Sequence, residues 1–218
     1  MSSMRLRNAF VDGPRSLGGR TRNRRWRTFR AHFPDIESMS VVDFGGTVDY
    51  WTRSPVQPRS VHVLNLQEPP SSIPDWITVD VADATDPALL SRAGAYDLVY
   101  SNSVIEHVGG HARRTAFAAN VGALAERHWI QTPYRYFPVE PHWVCPFMQF
   151  LPLRIRARLG MHWPLVHTRP ADMESAIAAL MSVELLDITA MRHYFPDSQI
   201  VYDRLAGLVK SVIAVKES

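Results

Sequence analysis

Cysteine is almost missing from this chain: Cys145 stands alone among 218 residues. One thiol excludes an internal disulfide and a structural zinc site built from thiolates, and it suits a reducing compartment such as the cytoplasm. Lysine is nearly as scarce, since only Lys210 and Lys216 of the 24 basic residues are lysines. No apolar stretch approaches the ~20 residues of a membrane span. The opening MSSMRLRNAFVDGPRS has basic residues but no run of the ~7 to 15 apolar residues that a secretory signal carries, so export is not expected. Glycine is missing where a dinucleotide fold needs it: after Gly45-Gly46 the next glycine is Gly94, so the G-x-G-x-x-G pattern is absent. Disorder is excluded by the balance of 46% hydrophobic and 21% charged residues. The length suits one core, and one domain over residues 1–218 is expected.

Charge is distributed unevenly. Residues 1–30 hold nine arginines and one acid, Asp12, a balance of +8 that leaves −5 for the rest of a chain whose total is +3. Such a basic arm can track phosphates, or it can be a solvated tail entering an amphipathic helix. The helix reading has support within the arm itself: Trp26, Phe29 and Phe33 recur at helical spacing, and Pro34 ends the pattern.

Downstream, short apolar runs of strand formers alternate with helical stretches. Strands are predicted over 39–44, 61–66, 75–81, 96–102 and 128–132, with a short helix after Asp86-Pro87 and a longer one over 111–127. Residues 133–170 interrupt the rhythm with seven of the sixteen prolines, and read as an insertion carrying one short helix near 146–159. Beyond it the pattern predicts a helix over 171–181, a strand over 183–191, a brief helix over 197–205 and a last strand over 210–216. This alternation calls for an α/β fold, a parallel sheet with helices on both faces.

Five strings carry chemistry. VVDFGG (41–46) is a strand that breaks at two glycines, where a backbone can pass close to a ligand. The second predicted strand ends near Asn65, the third is followed by Asp83-Ala84, and the fourth lies within YDLVYSNSVIEHV (96–108). In this order and spacing they resemble the class I S-adenosylmethionine (SAM) dependent methyltransferases over roughly residues 39–132. The resemblance implies their Rossmann-like, doubly wound seven-stranded sheet, with 183–191 and 210–216 as its antiparallel pair. It places Asp43, Gly45 and Gly46 at the methionine part of SAM, Asn65 at the ribose, Asp83 and Ala84 at the adenine, and Ser101 and Asn102 under the transferring methyl. At the ribose position the family has an acid, and here an amide stands, with Gln67 and Glu68 nearby. Asp83 also has an ordinary reading as a turn residue.

The fifth string, QTPYRYFPVEPHWVCPFMQFLP (131–152), crowds Tyr134, Tyr136, Glu140, His142 and Trp143 beside the fifth strand. Its P-V-E-P-H-W core resembles small bacterial O-methyltransferases, including sugar O-methyltransferases of mycobacterial methylmannose polysaccharide synthesis. The likeness implies a small or oligosaccharide acceptor. Because SAM brings its own leaving group, the protein's chemical task is alignment and removal of the hydroxyl proton. Histidine titrates near neutrality, which nominates His142 as general base, Glu140 as its orienting acid and His107 as the next base in line. Tyr134, Tyr136 and Trp143 are candidate sugar-binding aromatics, or else a small core beneath the insertion. Metal-ligand spacing is absent; Glu106, Glu140, His142 and His107 form only a loose oxygen and imidazole set for a divalent cation. Two other classes stay open: a nucleic-acid methyltransferase gripping phosphates with the arginine arm, and a non-catalytic binding module marked by Asn65. A homo-oligomer is compatible with the sequence.

Overall fold

The computed structural model describes residues 17–92, 94–166 and 168–218. The first half of the arginine-rich arm lies outside the described residues. Helix α1 (Leu17–His32) follows, then strand β1 (Ser40–Phe44), the short helix α2 (Val48–Thr52), β2 (Ser60–Asn65), β3 (Ile77–Val81) and β4 (Leu98–Asn102). Next come α3 (His111–Leu124), β5 (His128–Pro133), a two-stranded ribbon of β6 (Val139–Glu140) and β7 (Cys145–Pro146), and the helices α4 (Leu153–His162), α5 (Met173–Met181) and α6 (Ile188–Tyr194). The hairpin β8 (Gln199–Leu205) and β9 (Leu208–Lys216) closes the chain.

Seven strands form one sheet in the order β3-β2-β1-β4-β5-β9-β8, parallel except for β9, which runs antiparallel to both β5 and β8. Side chains on successive residues of β1 point to opposite faces. Val41 packs with Trp26, Phe29 and Phe33 of the α1 region, whereas Val42 packs with Phe117 and Val121 of α3 and Met191 of α6. Trp26 stacks on Tyr100 with ring centroids 5.9 Å apart, and Phe29 meets Trp129 edge-on at 5.2 Å. Arginines of α1 knit it to the sheet: Arg24 and Arg25 pair with Asp203 of β8, and Arg25 also donates to Asn102.

In the carboxyl-terminal third the expected helix over 171–181 and last strand over 210–216 are present, but two segments between them differ from the sequence reading. Residues 183–191 are not a strand; Asp187 accepts from the Ala190 N–H and caps α6, which buries Met191. Residues 197–205 are not a helix, because QIVYDRL lies as β8 against β9. Both segments are short and apolar. A cap and an antiparallel partner decide between them, and neither shows in local periodicity. In the insertion the helix runs 153–162 rather than 146–159, after the ribbon and a 3₁₀ turn at Met148–Phe150.

The insertion and α5 together bury a separate core of Trp143, Cys145, Met148, Ala157, Ala176 and Leu180. Trp143 is 6% exposed, and a Cβ at Gly160 would lie 2.4 Å from its ring. It is therefore a packing residue and not a sugar-binding face. Trp143→Ala is expected to lower stability by about 3–5 kcal/mol, read as a shift in denaturant midpoint at unchanged slope. Among the described residues no helix is long and apolar enough to cross a membrane.

Candidate active site

After β1 the chain goes outward to β2 and β3, then returns past β1 to β4. The sheet order reverses between β1 and β4, and in open α/β sheets ligands collect outside the strand ends at that point. A cleft of about 430 Å³ lies there. Gly45 and Thr47 line it from the β1 turn, Asn65 and Gln67 from the end of β2, and Asp83 and Ala84 from the loop after β3. From beyond β4 come Ser103, Val104 and His107, with Arg113 from α3.

The turn is built so that only glycine serves. Gly45 has φ +76°, a Cβ on it would lie 2.5 Å from Val104 Cγ2, and its N–H donates to Leu64 O at 2.7 Å. At Gly46 a Cβ would lie 1.7 Å from Asp43 Oδ2. Asp43 sits beneath the turn, 1% exposed, accepting from Trp51 Nε1 at 2.6 Å on Oδ2 while Oδ1 has no hydrogen-bond partner. Burial pushes its carboxyl up to about 7, against the pull of the Trp51 hydrogen bond. Asn65 clamps the turn from outside. Its Nδ2 donates to the carbonyls of Gly46 at 2.6 Å and Gly45 at 3.3 Å, and its Oδ1 accepts from the Gln67 N–H. An acid here could not make the first two bonds, which gives the amide a structural reason.

Asp83 is wired on both oxygens. Oδ1 accepts from the Thr85 N–H and hydroxyl, and Oδ2 from Arg113 at 2.5 Å. Burial opposes its charge, yet the hydrogen bonds from Thr85 and Arg113 prevail and hold the carboxyl below its ordinary range. The Ala84 carbonyl accepts from Asn120. Ser101 and Asn102 do not reach the cleft: the Ser101 hydroxyl donates to Phe44 O inside the sheet, and Asn102 Oδ1 accepts from Arg25 at 2.6 Å. From the residues just after β4 it is Ser103 that lines the cleft, held at φ +61° with its N–H and hydroxyl both on Gln131. Nothing in a serine announces that backbone, and sequence reasoning passed over it, as it did Val104 and Arg113.

The fifth string, residues 131–152, meets the cleft through His107. The β6–β7 ribbon brings His142 to it, with the two Nε2 atoms 3.1 Å apart. Glu140, 3% exposed, accepts from His142 Nδ1 at 2.8 Å and from the Trp143 N–H at 2.7 Å. Glu106 is fully buried and accepts from the Thr132 hydroxyl at 2.9 Å. Burial pushes the Glu106 carboxyl up to about 7, and partial desolvation together with the facing His142 holds His107 below the usual histidine range. Tyr134 meets Tyr136 edge to face, and Tyr136 stacks on Phe150 at 6.2 Å as an exposed aromatic face of the insertion.

No family model matches the chain, and no curated protein matches it. Solved structures do. A SAM-dependent methyltransferase from Mesorhizobium loti superposes with a TM-score of 0.54 at 15% identity, over 87% of this chain and 95% of that one. The N-terminal domain of EvdMO1, solved in the presence of S-adenosylhomocysteine (SAH) and D-fucose, superposes with a TM-score of 0.52 at 15% identity, over 88% and 80%. A Rhodobacter sphaeroides protein provisionally described as a Zn-dependent alcohol dehydrogenase reaches 0.54 at 10% identity, over 88% and 87%. The chain has the Rossmann-like fold of the class I methyltransferases. At such identities the likeness carries the fold and no activity.

Proposed function

We propose that this chain is a SAM-dependent O-methyltransferase acting on a hydroxyl of a small acceptor, in its sharpest form a sugar such as a methylated mannoside. The observation that carries the reading is the glycine-floored cleft at the sheet's switch point, continuous through His107 with an imidazole that a buried carboxylate orients. Three features fit a nucleoside cofactor: the close approach at Gly45, the charge-capable Asp43 beneath it, and a volume within the usual range for ligand sites of about 300–1,000 Å³. SAM, when bound, supplies an electrophilic methyl group. Gly45, Asn65, Asp83 and Ala84 would hold it, with Asp83 sharing its carboxylate between Arg113 and the ligand. Ser103 and Val104 wall the cleft on the side toward His107. His142, fixed through Nδ1 by Glu140, and His107 are where the acceptor hydroxyl is activated. The Tyr136–Phe150 face suits the apolar side of a sugar ring.

The arginines of α1 that pair with Asp203 already serve packing, which leaves the nucleic-acid reading without a dedicated phosphate grip among them. Incubation with methyl-labelled SAM and a panel of mannosides should give a labelled methyl ether. Absence of transfer to any hydroxylated acceptor, with SAH still bound, would favour the binding-module reading instead.

Asp43 gives this reading a pH signature. SAM is cationic, so it binds better above an ionised Asp43, and below pH 7 binding must expel a proton. Affinity for SAM should rise as pH increases through about 7 and level off above it, with at most tenfold change per pH unit. In the free protein the sign is reversed: a raised carboxyl contributes stability at pH below about 4 and loses it as pH rises through about 7. Titration calorimetry from pH 5.5 to 8.5 on wild type and Asp43→Asn checks the first, and denaturant unfolding over the same range checks the second, since the variant should lack both slopes.

A further inference from the structure

Two imidazole nitrogens, one from each histidine, face each other beside the cleft. Glu140 is acceptor to His142 Nδ1 at 2.8 Å, so that nitrogen carries the ring's proton and the neutral ring presents a lone pair at Nε2. The Ser182 backbone also hydrogen-bonds to the His107 ring. The two Nε2 atoms are 3.1 Å apart. Lone pairs at that distance repel unless a proton or a cation stands between them.

A third ligand group stands close by. A Glu106 carboxylate oxygen and the two imidazole nitrogens all lie within 4.8 Å of one another. Glu106 is fully buried, and its Oε1 has no hydrogen-bond partner. Nitrogens each about 2.0–2.1 Å from one zinc ion stand roughly 3.0–3.4 Å apart at angles near tetrahedral, so the histidines need little movement. Glu140 completes the arrangement from outside, because a metal-bound histidine commonly donates its second N–H to a carboxylate. The sequence had offered Glu140 as a ligand. Both its oxygens are taken, which leaves the other three members of that set, Glu106, His107 and His142.

We infer that His107, His142 and Glu106 bind one divalent transition cation, zinc or an ion of similar softness, with open positions toward the cleft. Two imidazoles and one carboxylate select such ions over Mg²⁺ and Ca²⁺, which prefer all-oxygen sites. An acceptor hydroxyl on an open position would have its proton acidified by the cation. That last role rests on the methyl-transfer reading; the binding site does not.

The test uses the full chain, stripped with a chelator and titrated with Co²⁺ and Zn²⁺. One equivalent should bind, with visible Co²⁺ absorption bands. His107→Ala and His142→Ala should each weaken binding at least 100-fold, and Glu106→Gln by about 10- to 100-fold. His111→Ala, at a separate histidine cluster, should bind as wild type does. SAH titration of the same samples reports on folding and on the cofactor reading separately. Failure of the folded wild type to bind either ion, or binding that survives loss of both histidines, overturns the site. Methyl transfer that persists unchanged after chelation overturns its catalytic role, and leaves His142 to accept the hydroxyl proton itself.

Discussion

Gly46→Ala should abolish SAH binding, a loss of at least 100-fold, while Asp43→Ala/Gly46→Ala should recover a measurable part of it. The added Cβ would stand 1.7 Å from Asp43 Oδ2, far inside contact distance, and that oxygen is pinned by Trp51. Either Asp43 loses its bond to Trp51, or the turn rises into the space where a ligand would lie. A carboxylate driven off its donor while fully buried is expensive to desolvate. Removing the Asp43 side chain opens room for the methyl group and isolates the clash as the cause. Binding by Gly46→Ala equal to wild type would show that the turn does not form the floor of the ligand site. Thermal unfolding of each variant separates a lost site from a lost fold.

His142→Ala should lower methyl transfer by roughly 100-fold or more and leave SAH affinity within about twofold. The imidazole does not line the cleft, so cofactor binding does not depend on it. It is the group through which Glu140, buried and polarised, acts on whatever meets His107. Glu140→Gln should reproduce part of the loss, since an amide can keep the Trp143 contact but orients the ring without charge. Unchanged turnover in His142→Ala would move the activating group elsewhere and remove the insertion from the chemistry. Saturating SAM and single-turnover conditions distinguish a slower chemical step from weaker acceptor binding.

The amino-terminal half of the sheet was legible because its signals are local. Apolar runs such as SVVDF and LVYSN are punctuated by glycine, proline and aspartate, and each became a strand within two or three residues of its expected ends. Gly45-Gly46 and Asp83 announced the cleft for the same reason. What failed depends on partners distant in sequence. Residues 183–191 and 199–205 differ in which one finds β9 to pair with, and Asp187 settles the matter as a cap. Trp143 reads as a ligand-binding aromatic until Gly160, on α4, is seen beneath it. The contact of His107 with His142 spans 35 residues and exists only because the β6–β7 ribbon folds back. Ser103 shows the limit from the other side, since its left-handed backbone is imposed by the ladder to Gln131 and leaves no trace in residue type.

Calorimetric titration of the folded wild-type chain with SAH tests the central claim most directly. One molecule per chain should bind in the micromolar range, and a crystal of that complex should show adenosine between Asn65 and Asp83 over Gly45. A folded chain that gives no heat up to millimolar SAH, or a complex with the ligand outside this cleft, would contradict it.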